Sequence, residues 1–288
     1  MSGIAWVDGT LFPRDAARIS IDDFAVRYGI ACFETMLALR GRIVRLDAHL
    51  DRLETGLRAM GIVPPARDVL VRALRDTLAA NGLTEAGVLR LTVTAGQGHA
   101  PDLARAVAPG VLVSADPVPA PAAPPRLAVV ATRVDATRPL REAKTTQFLS
   151  YLLARAEARA AGADDALLLN AEGAIAEAAT ANVFLLRAGG LETPRLVDGP
   201  LPGVTRAVVI EVARGLGMPV VERRLMLADL ALAEAVLLTS SIAGIVPVAS
   251  VRAVVPSAPA NLAWAARDPA PGALGALLDG YASALTEA

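Results

Sequence analysis

The stretch Gly173-Ala-Ile-Ala-Glu-Ala-Ala-Thr-Ala-Asn-Val-Phe184 carries a single charge, Glu177, and leads on to Leu201-Pro-Gly-Val-Thr-Arg206. The apolar run Ala181–Arg187 reads as a strand, with a short strand before it. Pro202-Gly203 then opens a helix running to about Leu216. A helix that begins on small residues leaves backbone N–H groups unpaired, and its dipole favours negative charge there. This start, with the Thr205 hydroxyl, is either a ready anion site or an ordinary helix opened by Pro and Gly. Glu177 is either a surface turn residue or a carboxylate kept ionised for a purpose.

Working outward, Lys144 is either a chance survivor of a composition bias or a residue kept for its amine, and its surroundings decide which. It is the only lysine among 28 basic residues, the other 27 being arginine. A guanidinium replaces an ammonium at little cost in a surface ion pair. It cannot do so in Schiff-base chemistry, which needs an amine that can lose its proton. If the amine's partner is a pyridoxal phosphate ring, the site also needs an acid for the ring nitrogen and an anion site for the phosphate. Glu177 suits the first, staying ionised so that the ring can act as an electron sink. The helix start at Pro202-Gly203, with the Thr205 hydroxyl, suits the second. Ser240 and Ser241, just past the strand Ala235–Leu238, offer further donors. Arg52, three residues after His49 on one side of a helix, suits the phosphate as a forked cation.

The bulk properties exclude much else. The chain has 288 residues, 54% of them hydrophobic, and a net charge of −1. That balance argues against nucleic-acid and membrane partners. No apolar run reaches the length of a membrane span, and the first residues show no signal pattern, so a cytoplasmic protein is expected. Cys32 is the only cysteine, and the two histidines, His49 and His99, are far apart. No disulfide and no metal site are expected.

The run from Asp116 to Pro125 holds five prolines in ten residues and reads as a linker. The division this gives is a small N-terminal domain over 1–115, a linker over 116–125 and a larger domain over 126–288. In the first, Ala31–Arg40 and Arg42–Leu46 form a hairpin turning at Gly41. A helix opened by Asp47 carries Leu50, Leu53, Leu57 and Met60 at three- and four-residue steps. A second helix spans Val69–Ala80 and a strand Val88–Thr94. In the second domain a strand at Arg126–Arg133 precedes a helix over Thr146–Ala161 and a strand at Ala166–Leu169. The segment Val254–Pro271 reads as loop, and a helix from about Ala273 closes the chain. The fold class is α/β in the mixed sense, α+β in two domains.

The run from Glu177 to Arg206 resembles the signature of the class IV (fold type IV) pyridoxal-phosphate enzymes. Its elements here are Glu177, Asn182-Val183-Phe184, Leu191-Glu192-Thr193 and Leu201-Pro202-Gly203-Val204-Thr205-Arg206. Tyr28-Gly29, Phe33-Glu34-Thr35 and the run from Arg45 to Arg52 are similar to that family's N-terminal segments, so the resemblance covers nearly the whole chain. It implies that Lys144 forms the Schiff base and shuttles the proton, and that Glu177 pairs with the pyridine nitrogen. Arg52, Val204, Thr205, Ser240 and Ser241 would hold the phosphate. It further implies a larger domain built on a barrel-like sheet, and a homodimer in which a partner loop completes the substrate pocket.

Three activities share that scaffold. The branched-chain L-amino acid transaminases carry an Asn-Tyr pair shortly after the lysine, where this chain has Thr145-Thr146-Gln147-Phe148-Leu149, which ranks that activity last. Aminodeoxychorismate lyases resemble the chain at Phe33-Glu34-Thr35-Met36 and from Ser240 to Val248. They tend to have asparagine in place of Ser240 and arginine in place of Ala95. D-amino acid transaminases trap the carboxylate with an arginine and a histidine in the loop that is here Gly96-Gln-Gly-His-Ala-Pro-Asp102. With that arginine missing, Arg27 and Arg90 become the candidate carboxylate ligands and Phe33 a pocket residue. The activity expected first is transfer of an amino group between a D-amino acid, or an R-amine, and a 2-keto acid.

Overall fold

The structure, a computed structural model, describes residues 3–99, 102–103, 106–254, 263–266 and 272–287. By its contacts the chain forms two compact units, Met1–Ala120 with Glu142–Gln147, and Pro121–Arg141 with Phe148–Ala288. The sequence reading divides the chain across 116–125. The contacts divide it inside that proline-rich run and return the short segment around Lys144 to the first unit.

The first unit holds β1 (Ile4–Val7), β2 (Thr10–Pro13), α1 (Phe24–Tyr28), β3 (Ala31–Leu39), β4 (Arg42–Ile43), α2 (Leu46–Ala59), α3 (Arg67–Ala80), β5 (Ala86–Thr94) and β6 (Val111–Asp116). The strands make one antiparallel sheet in the order β2-β1-β6-β5-β3-β4. The expected hairpin is present. Leu39 pairs with Arg42, and the two residues between them, Arg40 and Gly41, have φ of 50° and 74°. Positive φ at both positions is the two-residue turn whose twist matches that of the strands. β4 stops at Ile43 rather than Leu46, because Arg45 turns left-handed at φ 51° and starts α2. The stripe Leu50, Leu53 and Leu57 is buried where α2 packs on β3.

The second unit holds β7 (Arg126–Val134), α4 (Leu149–Ala160), β8 (Asp165–Asn170), β9 (Ala174–Ala178), β10 (Asn182–Arg187), β11 (Gly190–Pro194), α5 (Val204–Gly215), β12 (Val220–Arg223), β13 (Leu225–Met226), β14 (Ala235–Ser240), β15 (Gly244–Pro247), β16 (Ser250–Ala253), β17 (Ala263–Ala265) and α6 (Ala273–Glu287). Two sheets result, β12-β11-β10-β14-β15 and β13-β9-β8-β7-β16-β17. They share one core, the form taken by the expected barrel-like sheet. Leu127, Val129, Leu167 and Leu169 meet Val183, Leu185, Val236 and Leu238 there. Alternation sends Phe184, Leu186 and Leu237 to the other face, under α5 and α6, and Ala128, Ala166 and Leu168 under α4. Strands buried on both faces read as unbroken apolar runs, which is how β8 and β10 show in the sequence.

Two expectations are corrected. The helix placed over Thr146–Ala161 begins at Leu149, because the Thr146 N–H donates to the Ala31 carbonyl at 2.9 Å instead of starting a helical turn. Within the expected loop Val254–Pro271, Ala263–Ala265 is a strand paired with β16, and residues 255–262 and 267–271 lie outside the described residues.

Leu167 is fully buried in the core between the two sheets. Leu167→Ala should lower the unfolding free energy by about 2–5 kcal/mol in chemical denaturation. A loss below about 1 kcal/mol would contradict its placement there.

Candidate active site

In the first unit, Lys144 is fixed by backbone pairing. The Phe33 N–H donates to the Lys144 carbonyl at 2.8 Å, and Cys32 and Thr145 form a bridge. Opposed residues of an antiparallel pair share a face. Thr145 therefore joins Cys32, whose thiol pKa burial and the charge of Glu34 push up to about 12, while Lys144 joins Phe33 on the opposite face. The Lys144 Nζ stands 4.6 Å from the centroid of the Phe33 ring. Arg90, opposite Thr35 on β5, leans over the same ring with its Cζ at 3.8 Å. Arg90 keeps contact with solvent, yet partial burial of its guanidinium lowers its pKa. Lys144, Phe33 and Arg90 are thus gathered around one aromatic ring. Arg27 instead pairs with Asp22 at 3.1 Å and lies 5.7 Å from the Tyr28 ring.

Arg52 is held by a carboxylate. Its Nε donates to Glu34 Oε1 at 2.8 Å and its Nη2 to Oε2 at 2.6 Å, while His49 Nδ1 lies 2.7 Å from Oε2. Glu34 is fully buried and His49 nearly so. Burial alone would raise the Glu34 pKa. The charge of Arg52 and hydrogen bonds from His49 and Arg52 outweigh it and hold the carboxyl below its ordinary value.

In the second unit, Glu177 is buried on β9 and has a donor on each oxygen. The Tyr151 hydroxyl donates to Oε1 at 2.8 Å, and the Leu201 N–H donates to Oε2 at 3.0 Å. Burial and the neighbouring Glu177 charge raise the Tyr151 pKa, so the phenol stays protonated as a donor. The Leu201 carbonyl accepts from Asn182 Nδ2 at 2.8 Å. Leu201 therefore ties the carboxylate to the loop that leads into α5.

Val204 and Thr205 form the first turn of α5, whose N-cap is Gly203, with no side-chain cap. A Cβ on Gly203 would overlap Asn182 Oδ1, so only glycine fits there. Asn182 is paired with Thr239 across β10 and β14, and Ser240 ends β14. Ser240 Oγ accepts from the Ala243 N–H at 3.3 Å. The Thr239 hydroxyl is buried and has no hydrogen-bond partner among the described residues. An uncapped helix start on a bare glycine, beside a strand with an unsatisfied buried hydroxyl, fits a phosphate group. Arg206, the last residue of that run, serves the fold: its Nη2 donates to the Pro194 carbonyl at 3.0 Å and to Glu222 at 2.8 Å.

Several of these residues escape a reading by spacing. Tyr151 looks like any apolar position of an amphipathic helix, and Thr239 like the end of a strand. Glu34 did leave a signal, a carboxylate inside the apolar run Ala31–Leu39.

Comparison with known proteins gives the family. The family model described as amino-transferase class IV matches residues 31–251. A putative branched-chain-amino-acid aminotransferase of Methanocaldococcus jannaschii is 32% identical over 250 residues, 84% of this chain and 86% of that protein. The structure of a T.th. branched-chain amino acid aminotransferase complexed with N-(5'-phosphopyridoxyl)-L-glutamate superposes with a TM-score of 0.84, at 26% identity, over 100% of this chain and 95% of that one. A putative 4-amino-4-deoxychorismate lyase from Legionella pneumophila gives 0.81 at 28% identity, over 93% and 97%. The chain belongs to the class IV aminotransferases, and its cofactor is pyridoxal 5'-phosphate.

Gly203→Ala should weaken retention of pyridoxal phosphate, because the added methyl displaces Asn182 from the start of α5. Equilibrium dialysis of the variant against the cofactor checks this. Unchanged retention would contradict the close approach.

Proposed function

We propose that the enzyme moves an amino group between an α-amino acid and a 2-keto acid, and that Arg90 receives the substrate carboxylate. The observation that carries this is that Lys144 and Arg90 both contact the Phe33 ring, which puts a guanidinium and the one lysine amine on the same face of β3. A donor that carries both an amine and a carboxylate needs a partner for each, and a guanidinium matches a carboxylate in shape and charge.

Pyridoxal phosphate, when bound, supplies the carbonyl that takes the amine and the electron sink that makes the α-proton acidic. The remaining work falls to the chain. Lys144 Nζ takes the proton from the α-carbon and returns it as the general acid. Glu177, acceptor-only and held by Tyr151 and Leu201, keeps the ring nitrogen protonated. Arg52, the Val204 amide, Thr205, Ser240 and Ser241 take the phosphate. Phe33 supports the Arg90 guanidinium, and Arg27 has a secondary part in substrate binding.

For the donor we place branched-chain L-amino acids first, reversing the order that the sequence alone gives. The support is the name carried by the relative that is 32% identical over most of the chain, and the L-amino acid adduct in the similar structure. A D-amino acid donor stands second, favoured by Thr145-Thr146-Gln147-Phe148 where an Asn-Tyr pair is expected. Lyase chemistry stands third, on the similar lyase structure. We take the working unit to be a homodimer and its compartment to be the cytoplasm. No helix of the described residues is long and apolar enough to cross a membrane.

Holoenzyme mixed separately with L-leucine, D-alanine, D-glutamate, an R-arylamine and aminodeoxychorismate should convert the visible absorption of its cofactor to the pyridoxamine form fastest with L-leucine. Faster conversion by D-alanine or D-glutamate would move the assignment to the second reading, and pyruvate release without conversion to the third. Arg90→Ala should raise KM about tenfold or more for the amino acid, matching the loss of one charge-assisted contact, and leave the arylamine unaffected. Equal losses on both would sink the role given to Arg90.

A further inference from the structure

β3 presents Phe33 and Thr35 on one face and Cys32 and Glu34 on the other, toward α2. Glu34 is fully buried, and its two oxygens receive three donors from α2: Arg52 Nε at 2.8 Å, Arg52 Nη2 at 2.6 Å and His49 Nδ1 at 2.7 Å. An ionised carboxylate accepts only, so the His49 Nδ1 carries a proton and the imidazole is fixed as a donor to Glu34. His49 and Arg52 are three residues apart on α2, which lets one carboxylate engage both.

A buried ion pair is a poor way to stabilise a fold, since apolar side chains of similar volume usually do as well or better. What a bidentate carboxylate does well is fix a plane. With Nε and Nη2 both engaged, the guanidinium loses rotation about its last bonds, and its remaining edge has one direction. Arg52 is also the least buried of the three, with its side chain 11% exposed against 2% for His49 and 0% for Glu34. The order of burial runs from the inner carboxylate outward to the cation.

We propose that Glu34 and His49 are positioning residues for the cofactor phosphate: Glu34 fixes the Arg52 guanidinium, and His49 fixes Glu34. This rests on the reading of Arg52 as a phosphate ligand. Preorganisation of this kind lowers the ordering cost of binding an anion, so its loss appears in affinity for the phosphate and not for the ring.

The test compares binding of pyridoxal phosphate with binding of pyridoxal, which keeps the aldehyde and lacks the phosphate. Both are titrated into the full chain freed of cofactor. Glu34→Gln should raise the Kd for pyridoxal phosphate about tenfold or more, as expected for a hydrogen-bonded charged group, and leave that for pyridoxal unchanged. In an Arg52→Met background, where phosphate preference is already lost, adding Glu34→Gln should cost nothing further. His49→Ala should reproduce the loss, and His49→Asn, which restores a donor near Nδ1, should recover it, so the test survives if Glu34→Gln does not fold. Equal weakening of both ligands, or no weakening, would overturn the inference and leave the triad a structural ion pair. If Arg52→Met alone binds pyridoxal phosphate as tightly as the parent, the phosphate reading of Arg52 falls instead.

Discussion

Two backbone hydrogen bonds, from the Phe33 N–H to the Lys144 carbonyl and from the Thr146 N–H to the Ala31 carbonyl, decide where the chemistry of the first unit stands. They cover the edge of β3 that β4 leaves open at its N-terminal end. Because side chains alternate along a strand, this register puts Lys144 on the face of Phe33 and Arg90. A slip of one residue would turn the lysine toward Cys32 and α2. The same alternation puts Glu34 on the α2 side, where His49 and Arg52 receive it. One strand therefore sorts a face that carries Phe33, near Lys144 and Arg90, from a face that carries Glu34, near His49 and Arg52. The close fit of Gly56, whose added Cβ would lie 3.0 Å from both Ala143 and Cys32, keeps α2 tight against the lysine segment.

The second unit solves a different problem by a similar economy of contacts. Leu201 offers its N–H to Glu177 and its carbonyl to Asn182. Asn182 stands across from Thr239 and against Gly203. Glu177 and Asn182, which stands against the start of α5, are thus joined through one backbone residue.

Much of this was legible in the sequence, and the reasons differ by element. β8 and β10 show as apolar runs because both their faces are buried. α2 shows because its stripe repeats at helical spacing. The short strands β11, β12, β13, β15 and β17 leave no period long enough to read. Lys144, Glu177 and the start of α5 stand out because their chemistry admits few substitutes. The partners Tyr151, Leu201 and Thr239 act through a hydroxyl or a backbone amide that any neighbouring position could supply, so no spacing marks them. The start of α4 was misjudged because hydrogen bonding to β3, a partner over a hundred residues away, overrides local helix propensity.

Family membership fixes the cofactor and the broad reaction. The account as a whole depends on Lys144 being the amine that engages the cofactor. Holoenzyme reduced with borohydride and mapped by peptide mass spectrometry tests this directly, since the only competing amine is the chain's own N-terminus. The account predicts a phosphopyridoxyl group on the peptide carrying Lys144. The same group found only on the N-terminal amine, or no retained group at all, would contradict it.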